Sequence, residues 1–263
     1  MGTSGFNRAP YLDKLRVYMD PTAQKIRDSL QSVATLRQQY AAQPSLAEAS
    51  REVKRFQALR FRATYGDLLR SPRYHIAATF FLDELYSDKD YAQRDQQFAR
   101  IASTIAKLFP QAVVNTAAAL AEVHALTESL DDLMARQWMN DRVGENEAAR
   151  YIRCWRLVSD IAARHRQLEV VLLLGQELNR LTRKPGLRTL LKMMRHPAGA
   201  AGLSSLQHFL ESGFDAFADM RGAEEFLAII RQRETEWIRS LFEHPAVTCE
   251  TKLNQLLGLG RPD

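Results

Sequence analysis

Two cysteines, Cys154 and Cys249, are all that the 263-residue chain contains. They are too few for a disulfide framework and sit in neither a CxxC nor a zinc-ligand spacing. Long hydrophobic runs are missing as well. The longest aliphatic stretch, VVLLLG at 170–175, is flanked by Glu169 and Gln176 and falls far short of the roughly 20 residues a bilayer span needs. The first ten residues, MGTSGFNRAP, lack the apolar core of a secretory signal. Phe6 stands where a myristoylation site needs Ser or Thr. Together these absences point to a reduced, cytoplasmic protein without a membrane segment.

Strand patterns are scarce too. The β-branched residues are scattered, alternation never persists, and Ala, Leu, Arg, Gln and Glu predominate, all good helix formers. The expected fold is all-α, a single antiparallel bundle of about nine helices with no internal repeat. One helical domain is expected over residues 1–243, with the polar stretch NDRVGEN at 140–146 as the best internal break, followed by a loosely docked tail over 244–263.

Helix starts are marked. Asp20 precedes Pro21, Ser45 and Glu48 have capping-box spacing, and Ser71 precedes Pro72. RKPGL at 183–187 punctuates the chain, and the small-residue run HPAGAAGLSS at 196–205 reads as a connector. Charge is uneven. Residues 1–73 hold 13 Lys/Arg against 6 Asp/Glu within a chain of net charge +5. These bases alternate with acids and lack an aromatic stacking platform, so nucleic acid is not an expected partner.

One segment concentrates the interest. TFFLDELYS at 79–87 places Asp83 and Glu84 among large apolar side chains. At 100° per residue, Tyr74, Ala77, Ala78, Phe81, Leu82 and Leu85 share one face, with Ile76 and Phe80 as a second patch. Glu84 falls inside the combined arc and Asp83 at its edge, so Glu84 is the expected buried acid. A buried carboxylate needs a cation or several donors. Arg150, Arg153 and Arg156 in ARYIRCWRL are the expected structural ion-pair partners. The alternative is a ligand-binding or catalytic role for Glu84, with His75 and Tyr86 on the same segment as further binding candidates.

The run Phe80-Phe81-Leu82-Asp83-Glu84-Leu85-Tyr86 resembles the signature of a family of uncharacterised bacterial proteins named for an FFLEELY motif, with Asp83 in place of the first Glu. RYHIAATFF, SDKDYAQRD and the stretch from Leu206 to Glu234 resemble that family as well. The resemblance implies a helical bacterial protein and carries no activity.

On the long helix expected over 112–139, Val113, Ala117, Leu120, Val123, Leu130, Met134 and Trp138 form an apolar stripe shared by His124, Thr127 and Asp131. A histidine with acids on such a seam suits either a satisfied core position or a ligand site. No Glu-x-x-His occurs, which excludes the di-iron bundle pattern. There is also no CxxCH, GxSxG, P-loop or GxGxxG. No metal or cofactor is assigned. Two functions remain open: a non-enzymatic helical module for association with another protein or with itself, and a bundle binding a small molecule, metal or haem. In the second, Glu84 and His124 would line an internal pocket, with Asp131 as a further binding candidate.

Overall fold

A computed structural model describes residues 20–85, 89–141, 146–158 and 160–258, and among these residues every regular element is a helix. In chain order they are α1 (Pro21–Ala42), α2 (Pro44–Thr64), α3 (Gly66–Arg70), α4 (His75–Leu85), α5 (Ala92–Leu108), α6 (Gln111–Asn140) and α7 (Glu147–Val158). Then come α8 (Ile161–Thr182), α9 (Leu187–Met193), α10 (Arg195–Ala200), α11 (Ser204–Asp219), α12 (Glu224–Glu243) and α13 (Ala246–Leu257).

The expected start signal of α1 forms, with Asp20 Oδ1 accepting from the Thr22 and Ala23 amides at 2.8 and 3.1 Å. The capping box of Ser45 and Glu48 does not. Pro44 takes the first helical turn, so the Leu46 and Ala47 amides bond instead to the Gln43 carbonyl, and Glu48 turns to Arg51. Ser71 likewise works through its backbone, its carbonyl receiving the Tyr74 and His75 amides. Asp160 caps α8 by accepting from the Ala162 amide at 2.9 Å. Two other segments differ from the sequence reading. Part of HPAGAAGLSS is helical, as α10. Residues 246–257 form α13, which buries Cys249 and Leu253 rather than fraying. Of the break expected at 140–146, residues 142–145 lie outside the described residues.

Three apolar clusters result. Phe61, Tyr65, Phe81, Leu172, Phe217 and Phe226 belong to the first. Phe56, Trp138, Tyr151, Trp155 and Trp237 belong to the second, and Ile26, Leu30, Phe98, Val114 and Phe209 to the third. Each fully buried large side chain contributes about 1.5–3 kcal/mol relative to exposure. Phe80 packs against the first and third clusters, and Phe242 against the first and second. The long helix α6 touches α1, α2, α7 and α8, which makes it the element that gathers side chains from most of the chain.

Glycine is required where helices approach closely. A Cβ on Gly175 of α8 would lie 2.5 Å from a Leu227 methyl of α12, and one on Gly213 of α11 would lie 3.0 Å from the Phe80 ring. Either addition would push a packed neighbour aside.

Candidate functional site

The FFLDEL helix buries one side only. Tyr74, Ala77, Ala78, Phe81 and Leu82 are buried, while Ile76 is 48% exposed. Phe81 meets Phe226 and Phe217 at ring distances of 5.6 and 6.1 Å, and Phe80 meets Phe209 at 5.7 Å. Asp83 and Glu84 are both half-buried. The Asp83 carbonyl accepts from the Tyr91 hydroxyl at 2.7 Å. Glu84 pairs with Arg94 at 3.6 Å and with Lys89 at 3.9 Å.

Arg150, Arg153 and Arg156 are therefore not its partners. Arg150 lies over the Trp138 ring at 4.2 Å and donates to the Trp138 carbonyl, with Glu52 nearby at 3.8 Å. Arg153 forks onto Asp141 at 2.8 and 3.2 Å. Arg156 caps the end of α12 through the Leu241 carbonyl at 2.7 Å and the His244 carbonyl. The reason is positional. α7 packs on α6, α12 and α13, whereas α4 and α5 share α11 as a neighbour. Arg94 reaches Glu84 from that shared neighbourhood, stacked between the Tyr91 and Phe209 rings at 4.0 and 4.6 Å.

Arg94 also leads to the best-connected charge of the interior. Its Nε donates to Asp95 Oδ1 at 3.4 Å. Asp95 Oδ2 accepts from Arg37 at 2.6 Å and lies 2.8 Å from His124 Nε2. Glu84 and His124 are thus joined through two intermediates, Arg94 and Asp95. Asp95 is only 4% exposed. Burial works against its charge, yet the hydrogen bond and charge of His124, with Arg94 and Arg37 beside it, bring its carboxyl down to about 2.

A second group lies further along α6. Glu128 receives Lys54 Nζ on both oxygens at 2.8 Å, and Gln57 donates to Asp131 Oδ1 at 3.1 Å. Asp132 accepts from Arg136 at 2.8 Å. His124, Glu128, Asp131 and Asp132 are four, seven and eight residues apart, so they line one stripe of the helix. Across the fold, Arg60 forks onto Glu234 at 3.2 and 3.0 Å, and the Tyr65 hydroxyl adds a third bond at 2.8 Å.

His75 stands apart from both groups. It is exposed, with Nδ1 2.7 Å from the Leu69 carbonyl. Tyr86 lies outside the described residues. Among the described residues, no group of three His, Cys, Asp or Glu side chains is arranged to hold a metal ion, and no helix is long and apolar enough to cross a membrane.

The sequence reading passed over Asp95, Arg60, Lys54 and Glu234. A signal existed for three of them. Asp95 keeps helical register with Phe98, Ala102 and Ile105, Arg60 with Val53 and Phe56, and Glu234 with Leu227, Ile230, Ile238 and Leu241. A charge set in an apolar stripe was the same cue that drew attention to Glu84.

Glu84 itself is 20% exposed, and Arg94 keeps its other neighbours without it. Glu84→Ala is expected to cost only about 1 kcal/mol, read from urea denaturation midpoints. A loss as large as that of a buried pair would show that the Glu84–Arg94 contact is much tighter than its 3.6 Å separation implies.

A family described as a domain of unknown function (DUF8198) matches residues 36–247. The chain belongs to this family. The matched stretch takes in the interior charged groups from Arg37 to Glu234. No curated protein and no solved structure matches the chain. Membership in the family brings no activity with it, so the function is unknown.

Proposed function

We propose that this chain is a non-enzymatic helical module for association, with another protein or with a second copy of itself. The observation that carries the reading is the outer side of α9. None of its residues is buried, and Leu190 and Met193, with Met194 just beyond it, are 44, 67 and 40% exposed. At 100° per residue these three span a single side. Gln207 holds the opposite side on α11 by donating to the Leu191 carbonyl at 2.7 Å, and Arg188 pairs with Asp215 at 2.8 Å. Large apolar side chains gathered on one outward side favour a protein contact over isolated surface exposure.

The seam fits the same reading as scaffold. Glu84, His124 and Asp131 take hydrogen bonds and ion pairs that tie helices together, which suits a rigid support for the outer surface. We further propose one antiparallel bundle, favoured by the short connections, and a bacterial cytoplasmic setting. Two buried thiols suit a reducing compartment. The FFLDELY run lies inside the matched residues, which supports the matched family and the FFLEELY-motif proteins being one group.

Light scattering and cross-linking over a range of concentrations test the association. The expected result is a complex that the Leu190→Asp/Met193→Asp double variant abolishes, with its helical circular dichroism unchanged because both side chains are exposed. A strict monomer with no co-purifying partner would remove the reading.

A further inference from the structure

Asp131 differs from every other acid of the seam. It is 5% exposed, yet the group that meets it directly is an amide, Gln57 Nε2 at 3.1 Å, and among the described residues it forms no ion pair. Lys54, whose charge also acts on Asp131, bonds both oxygens of Glu128. Asp95 has two guanidiniums and a histidine, Glu234 a bidentate arginine, and Asp132 a single bond from Arg136 Nε. Removing a carboxylate from water costs several kcal/mol unless a cation or several donors replace the hydration. One neutral donor does not meet that cost, and adding a proton does.

The groups around Asp131 bear the same way. On its own helix stand Glu128 and Asp132, both anionic partners of other side chains. α2 supplies Lys54 and Gln57, and α8 supplies Arg164, which is stacked over Trp155 at 3.9 Å. Tyr40 of α1 and Tyr151 of α7 complete the surroundings, and burial raises both phenols. Burial likewise pushes the Asp131 carboxyl up. The Lys54 charge opposes this, Glu128 reinforces it, and Arg164 opposes it again.

We propose that Asp131 is carried as a neutral carboxylic acid in the folded protein, making the α2–α6 contact a proton-dependent latch. The proton lets Gln57 and Asp131 share a neutral amide–acid pair. Its loss places a second anion beside Glu128 in a site where Lys54 already has a partner. The sign follows from linkage. A folded-state value above the unfolded one gives stability that is full below the unfolded value and is lost as pH rises through the folded one. This latch therefore loosens as pH rises, opposite to the behaviour of Asp95. It rests on the interior alone and is independent of the association proposed for α9.

Asp131→Asn is the test, because asparagine reproduces the shape and neutrality of the protonated acid. The expected result is a Tm equal to or above that of the unmodified protein at neutral pH, with a smaller fall in Tm as pH rises, because asparagine has no proton to lose. The infrared carbonyl band of a protonated carboxyl should be present in the unmodified protein and missing from the variant. A variant that fails to fold, or that loses stability as Asp95→Asn does, would overturn the latch. So would a carboxyl carbon NMR signal showing Asp131 ionised throughout the neutral range.

Discussion

Arg60→Ala is expected to lower stability by about 3–5 kcal/mol, the range for breaking a buried pair by removing one partner. Arg60 and Glu234 expose only 5% and 12% of their side chains. Alanine leaves the Glu234 carboxylate with the Tyr65 hydroxyl at 2.8 Å and, among the described residues, no other ion-pair partner. It also removes the guanidinium from the Trp237 ring, 5.7 Å away. The double variant Arg60→Met/Glu234→Leu should recover most of the loss, since replacing both charges by apolar groups of similar size is often neutral or stabilising. Chemical denaturation of the two variants measures the difference. Equal losses for both would mean that the cost arises from packing rather than from a stranded charge.

Asp95→Asn is the second large effect, about 3 kcal/mol at neutral pH. The carboxylate answers to Arg37, Arg94 and His124, which expose 25%, 11% and 16% of their side chains. Asparagine keeps the shape and removes the charge that all three address. The pH dependence separates this from a packing defect. With the folded carboxyl near 2 against a usual 3.8, Asp95 contributes stability above the unfolded value. That contribution, about 2–3 kcal/mol, is lost as pH falls from about 4 through 2. The variant should accordingly show a shallower acid limb in a plot of stability against pH. An unchanged acid limb would assign the acid sensitivity to other carboxylates.

The helical class was readable because it rests on local preferences that every segment repeats. The ends of α1, α6 and α12 followed from cap residues and turns near them in sequence. Elsewhere local signals competed. Pro44 overrode the capping pair of Ser45 and Glu48, and 246–257, expected as part of a loosely docked tail, forms a helix because Cys249 and Leu253 meet a cluster built by α2, α6, α7 and α12. The interior charges were half legible. A wheel singles out Glu84 as unusual, but it does not say which arginine answers it. ARYIRCWRL offered three, and Arg94, ten residues from Glu84, is the one that reaches it. Partnerships such as Arg60 with Glu234 span 174 positions. They depend on how helices are laid against one another, a property that no single segment encodes.

Phe80 and Phe242 each belong to two apolar neighbourhoods at once. A breathing motion that frees either ring uncovers apolar area on both sides of it, so local opening in one neighbourhood is transmitted to the next. Amides in the helices bordering these rings should then share a common opening free energy in hydrogen exchange, although they are remote in sequence.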